Sequence, residues 1–188
     1  MFDNMSWGSS VNSAESLIIN EGGKSIGDKA FWGFSNLTYI NKTTENDNVI
    51  NKFPEGLETI GASAFIKDSQ NACPVTGEIE FPSTLKSIGN YAFCSAYSYT
   101  AHNNITSIKF GEGTEDLLIG IGAFQYSTSL ESIEFPKRIK SIDGNAFYGC
   151  ENLTANNNAL FSFDMNLESI GSYAFDCCPK LSGCTLII

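Results

Sequence analysis

The sequence predicts a right-handed solenoid, an α/β repeat of about six coils of 23 residues plus insertions, with a parallel sheet on one face. Three observations predict it. One phrase returns six times, a second apolar phrase returns between its copies, and the irregularities of spacing collect at one place in the coil. The chain then divides into a short N-terminal segment, residues 1–16, and a solenoid over residues 17–188.

The first phrase reads SIGDKAF (25–31), TIGASAF (59–65), SIGNYAF (87–93), LIGIGAF (118–124), SIDGNAF (141–147) and SIGSYAF (169–175), always with Ile five residues before Phe. The second reads LIIN (17–20), NKFP (51–54), IEFP (79–82), IKFG (108–111), IEFP (133–136), FSFD (161–164) and TLII (185–188). In a short strand alternate side chains point to one face, so this second phrase supplies one strand per coil. Pro ends the strand because it has no N–H for the ladder. Asn51 breaks the apolar pattern in NKFP.

The spacing carries the argument further. The Phe-to-Phe steps are 34, 28, 31, 23 and 28 residues, exceeding 23 by 11, 5, 8, 0 and 5. All but two of the extra residues fall between the Phe and the next strand. Chance similarity does not concentrate its irregularities, whereas a coil that must restack on its neighbour admits insertions only where backbone leaves the stack. A 23-residue unit lies within the window of about 20–29 residues seen in leucine-rich repeats. The glycines at 27, 61, 89, 120 and 171 are expected to allow a tight bend, followed by a short helical turn carrying Ala-Phe. Asp143 takes the glycine position once, beside Gly144, so a rearranged bend is expected there. Phe31, Phe65, Phe93, Phe124, Phe147 and Phe175 should stack as an internal ladder.

Composition narrows the partners. A net charge of −10 with no basic stretch offers nothing to release counterions from a phosphate backbone, so nucleic acid is set aside. No run approaches the roughly 20 apolar residues of a membrane span, so membrane insertion is not expected, and residues 1–13 lack the pattern of a signal peptide.

The phrases KSIDGNAFYGCENL (140–153) and ESIGSYAFDCCPKL (168–181) closely resemble the BspA-like, or Treponema-type, leucine-rich repeat, and the resemblance covers about residues 17–188. It implies a surface-exposed or secreted protein that adheres to host or neighbouring-cell macromolecules. The long insertions, Asp143 and the residues around Asn51 depart from the pattern.

Candidate chemistry is sparse. Cys150 and Cys178 follow the repeat Phe by three residues and read as small buried thiols, while a disulfide through Cys73, Cys177 or Cys184 stays open. Metal-ligand spacing is missing, so neither a metal nor a cofactor is expected. His102 is the one histidine, which leaves no triad or histidine acid–base pair. Glu78, Glu80, Glu131 and Glu134 are expected on or beside the outer face of the strand sheet, making it acidic, and an extended sheet face of this kind suits a macromolecular ligand. The insertions 40–51, 67–77, 94–104 and 154–159 should leave the stack on one side as adjacent loops, with Tyr97, Tyr99 and His102 the best recognition side chains there. The chain stops at an apolar strand, so cover by a second copy or by further sequence is expected at the C-terminal coil. The reading is a non-catalytic adhesion module for a protein or glycan. A structural spacer is the alternative, and a glycan-acting enzyme stands last.

Overall fold

Among the described residues a coil contributes two strands rather than one. The computed structural model describes residues 13–45, 48–66, 73–95, 104–155 and 166–182. The predicted strands at 161–164 and 185–188, Cys184, and most of the N-terminal segment lie outside the described residues. The elements are β1 (Ser16–Leu17), β2 (Ser25–Ile26), β3 (Tyr39–Ile40), β4 (Thr43–Glu45), β5 (Asn48–Lys52), β6 (Thr59–Ile60), β7 (Thr76–Phe81), β8 (Ser87–Ile88), β9 (Asn104–Phe110), β10 (Leu117–Ile119), β11 (Ser132–Glu134), β12 (Ile139–Ile142), β13 (Ser169–Ile170) and a 3-10 turn at Pro179–Leu181.

The Ser-Ile part of the first phrase is itself a strand, and its copies form a six-stranded sheet in the order β13-β12-β10-β8-β6-β2. All its pairings are parallel, with Ile26 beside Ile60, Ile60 beside Ile88, and Ile142 beside Ile170, and the register shifts once, between Leu117 and Leu118 where β10 meets β12. The expected sheet forms separately as a five-stranded sheet ordered β11-β9-β7-β5-β4. Ile79, Ile108 and Ile133 stand in register across it and point inward. A single sheet on one face is thus corrected to parallel sheets formed by two segments of the coil.

The helical turn expected before each Phe is not there among the described residues, and the hydrogen bonds say why. Lys29, Phe31 and Gly33 donate their N–H groups to Ala62, Ala64 and Ile66 of the next coil, at 2.8, 2.9 and 2.9 Å. Ala30, Trp32 and Phe34, between them, donate back within their own turn. A helix would direct all of these N–H groups along its own axis, so the turn exchanges helical bonds for a ladder between coils. The alternation requires a left-handed residue two before the Phe in all six coils: Lys29, Ser63, Tyr91, Gly122, Asn145 and Tyr173 have φ between 54° and 60°. The fold is therefore a solenoid of stacked coils built almost wholly of sheet and turns.

The repeat glycine also has a different reason from the one expected. It is not left-handed; it sits where neighbouring coils touch. A Cβ on Gly89 would lie 2.6 Å from the Ala62 nitrogen, and one on Gly61 or Gly171 would fall on backbone of the adjacent coil. Asp143 needs no rearranged bend, since its N–H reaches Ile119 O at 2.8 Å, as Gly120 N–H reaches Ile88 O at 2.8 Å.

The phenylalanine ladder forms as expected. Successive rings from Phe31 to Phe175 stack with centroids 4.9 to 5.3 Å apart and planes within 20°. A second ladder, Phe53, Phe81, Phe110 and Phe135, stacks beside it at 5.1 to 6.2 Å. Edge-to-face contacts such as Phe53–Phe93 and Phe135–Phe147 join the two columns.

Candidate functional site

The outer face of the five-stranded sheet is built by strand alternation. With isoleucines and phenylalanines turned inward, the residues between them face out. Lys52, Glu80, Lys109 and Glu134 fall in register across four strands, so their charges alternate along the solenoid. Lys52 Nζ lies 3.3 Å from Glu80, and Lys109 Nζ lies 2.8 Å from Glu78. The Ser107 hydroxyl donates to the other Glu78 oxygen at 2.9 Å. The hydrogen bond from Lys109 to Glu78 holds its ammonium above the ordinary lysine value.

Two hollows open on this face. One, of about 720 Å³, is lined by Lys52, Glu80, Lys109 and Glu134 with Ile18, Phe53, Pro54, Phe81, Pro82 and Phe110. The other, of about 540 Å³, is lined by Thr76, Glu78, Thr106, Ser107, Glu131 and Ser132. The four glutamates singled out in the sequence thus share one surface. That surface is not uniformly acidic, because Lys52 and Lys109 interleave with them. Tyr97, Tyr99 and His102 lie outside the described residues.

The first insertion is also unlike the expected loop. β4 and β5, on either side of residues 46–47, pair antiparallel and extend the five-stranded sheet. The detour leaves a gap in the backbone ladder between β3 and β7, and Asn51 fills it. Its Oδ1 accepts from Ile40 N–H at 2.7 Å, and its Nδ2 donates to Thr76 O at 2.7 Å and Glu78 O at 3.1 Å. Asn41 does the same for Ile19, accepting from its N–H at 2.7 Å and donating to its carbonyl at 2.8 Å. An asparagine amide carries the donor and acceptor of a peptide group, so the residue read as a flaw is a side-chain rung of the ladder.

Arg138 is a second residue missed by the sequence reading. It is 5% exposed, and its guanidinium donates to the carbonyls of Pro82, Leu85, Gly111 and Glu115. It stitches the two-residue insertion after Gly111 to the neighbouring coils, and burial draws it below the ordinary arginine value. Lysine could not make this contact, since it lacks the planar fork of donors.

The six-stranded sheet carries its own charge row, one sign per coil. Lys24 lies 3.0 Å from Glu58, Glu58 lies 3.1 Å from Lys86, and Lys86 lies 4.0 Å from Glu115. Lys140 then joins Asp116 at 2.7 Å and Glu168 at 3.5 Å. Hydrogen bonds from Lys24 and then Lys86 hold the Glu58 carboxyl below its usual range, and Asp116 followed by Glu168 holds Lys140 above its own. A lowered carboxyl stabilises the fold above its unfolded value of about 4.3, and that contribution is lost as pH falls through the folded value. A raised ammonium stabilises below its unfolded value of about 10.4, and that is lost as pH rises through the folded value. In a plot of Tm against pH, Glu58→Gln is therefore expected to flatten the acid limb and spare the alkaline one. Both limbs should shrink in about 1 M salt, where screening acts over about 3 Å. An acid limb unchanged by Glu58→Gln would remove this row from the pH response.

Cys73, Cys94, Cys150, Cys177 and Cys178 are free thiols, and all but Cys177 are buried. Burial pushes Cys73 and Cys94 up to about 12. Their neutral forms stabilise the fold below about 8.5, and this is lost as pH rises towards the folded value, so they belong to the alkaline limb. Among the described residues no group of three or more His, Cys, Asp or Glu is placed to hold a metal ion.

No curated protein matches the chain. Solved structures that resemble it include the pneumococcal vaccine antigen PcpA, 18% identical over 89% of this chain and 60% of that one, with a TM-score of 0.37. A leucine-rich repeat protein from Eubacterium ventriosum is 17% identical over 87% of this chain and 59% of that one, with a TM-score of 0.39. Another from Bacteroides ovatus is 20% identical over 89% and 59%, with a TM-score of 0.31. The chain spans about 60% of the length of these proteins. Residues 9–114 and 117–187 match the BspA type leucine rich repeat region in six copies, and the chain belongs to that family.

Proposed function

We propose that the chain is a non-catalytic binding module of a surface-exposed or secreted protein, holding a host or neighbouring-cell protein or glycan against the outer face of the five-stranded sheet. The observation that carries this reading is the run of two hollows on that face, where alternating Lys and Glu side chains stand beside the exposed Ile18. Charges fix the orientation of a ligand while an exposed apolar side chain adds contact area. Glu78, Glu80, Glu131 and Glu134 form the proposed contact set with the lysines between them. Tyr97, Tyr99 and His102 belong to the same proposal, as does self-association through the C-terminal coil. In this reading the coils wind right-handed, following the general preference of parallel crossovers. The non-catalytic part is supported by Glu78, whose two oxygens are engaged by Lys109 and Ser107.

One observation favours a second reading, a spacer that displays another domain: the charges of the sheet face already pair among themselves. Binding of the immobilised chain to a panel of mucin glycans and extracellular-matrix proteins separates the two. The binding module predicts at least one partner, weakened by about tenfold or more when Lys109→Glu and Glu134→Lys are combined, a loss of about 1.4 kcal/mol. Lys86→Met on the other sheet should leave binding unchanged. Equal losses from both changes would move the site off this face, and silence across the panel would favour the spacer.

A further inference from the structure

Cys150 and Cys178 follow Phe147 and Phe175 by three residues, the same place in adjacent coils. Their turns are tied in register, Phe147 N–H to Ala174 O at 2.8 Å and Gly149 N–H to Asp176 O at 2.9 Å. Each thiol points back along the stack, Cys150 Sγ to Phe124 O at 3.5 Å and Cys178 Sγ to Phe147 O at 3.2 Å. Side chains at equivalent positions of neighbouring coils are separated by a strand spacing of about 4.8 Å. That lies inside the Cα separation of about 4.4–6.8 Å that a disulfide spans.

Packing does not require sulfur here, because Ser127 fills the same position, fully buried, in the coil before. The pair is also unequal. Cys150 is fully buried, whereas Cys178 opens the 3-10 turn and has exposed Cys177 and Pro179 on either side. The hydrogen bond from Cys150 draws Cys178 below the ordinary thiol value, while burial pushes Cys150 up. A thiol of lowered pKa at the margin of the core, with a fully buried thiol in the next coil behind it, is the arrangement in which one sulfur attacks and the other resolves.

We propose that Cys150 and Cys178 are a disulfide-forming pair that is oxidised by a low-molecular-weight disulfide. Cys178, as its thiolate, attacks one sulfur of the small disulfide; the small S–S bond breaks, and the departing thiolate takes up a proton. Cys150 then loses its proton to water and attacks the Cys178 sulfur of the mixed disulfide, expelling the second small thiolate. Two protein thiols become one disulfide and one small disulfide becomes two thiols. The product clasps the fifth coil covalently to the sixth.

The test is glutathione disulfide added to the folded, reduced chain, followed by non-reducing peptide mass mapping. The expected product is a cross-linked peptide pair joining Cys150 to Cys178, lighter than the two free peptides by two hydrogens. Cys150→Ser should stop at one glutathione on Cys178, and Cys178→Ser should leave Cys150 unmodified. Ser127 shows that serine suits the position, and far-UV circular dichroism verifies that both variants are folded. A folded chain in which Cys150 and Cys178 stay reduced while Cys177 takes up glutathione would overturn the proposal. So would a bridge that joins Cys178 to Cys177.

Discussion

Phe124→Ala is expected to lower the unfolding free energy by about 3–5 kcal/mol, read from the midpoint of a urea titration. Phe124 is fully buried and lies between Phe93 and Phe147, with both centroids at 5.3 Å, and it meets the edge of Phe81 at 6.3 Å. A solenoid is held by terms between neighbouring coils, so a cavity at this ring weakens two interfaces at once. Phe175, which is half-buried and packs against the core from its margin, should lose less on the same change. A larger loss at Phe175 than at Phe124 would mean that the column is not the principal core.

Asn51→Leu restores the apolar pattern and is expected to destabilise the chain by more than about 3 kcal/mol. Ile79, Ile108 and Ile133 occupy the corresponding inward row, so pattern alone recommends the change. Asn51 is fully buried, however, and serves Ile40 N–H and the carbonyls of Thr76 and Glu78. Leucine would orphan all three groups, and a buried polar group left without a partner costs about 1–3 kcal/mol. Urea unfolding measures the total, and amide exchange at Ile40 should accelerate in the variant. A variant as stable as the parent would mean that the bonds of Asn51 are made equally well by water.

The long-range order of this chain was legible because stacking imposes it on spacing. The phenylalanine ladder, the coil length and the glutamates at 78, 80, 131 and 134 on one face all follow from which positions repeat. What escaped was settled by backbone hydrogen bonding. The Ser-Ile strand is two residues long in most coils, too short for alternation to reveal it. The helical turn was expected after the glycine bend, yet alternate N–H groups there serve the next coil. Asn51 and Arg138 were hidden for another reason. Each answers a gap created by an insertion, and spacing marks where an insertion lies without naming the side chain that closes it. One signal was available for the turn corners: Tyr91 precedes Gly122 at one repeat position, and Tyr126 precedes Gly149 at another. In both cases the tyrosine ring lies where a Cβ on the glycine would stand.

The charge row of the six-stranded sheet runs Lys24, Glu58, Lys86, then Glu115 and Asp116, Lys140, Glu168, changing sign at every coil. Individually such exposed pairs are worth about 1 kcal/mol or less, but their order constrains how the gene can grow. Duplicating a single coil would seat lysine upon lysine or acid upon acid, and like charges facing each other in a sheet repel. Copying two adjacent coils preserves the sequence of signs, so this array lengthens without penalty only in even steps.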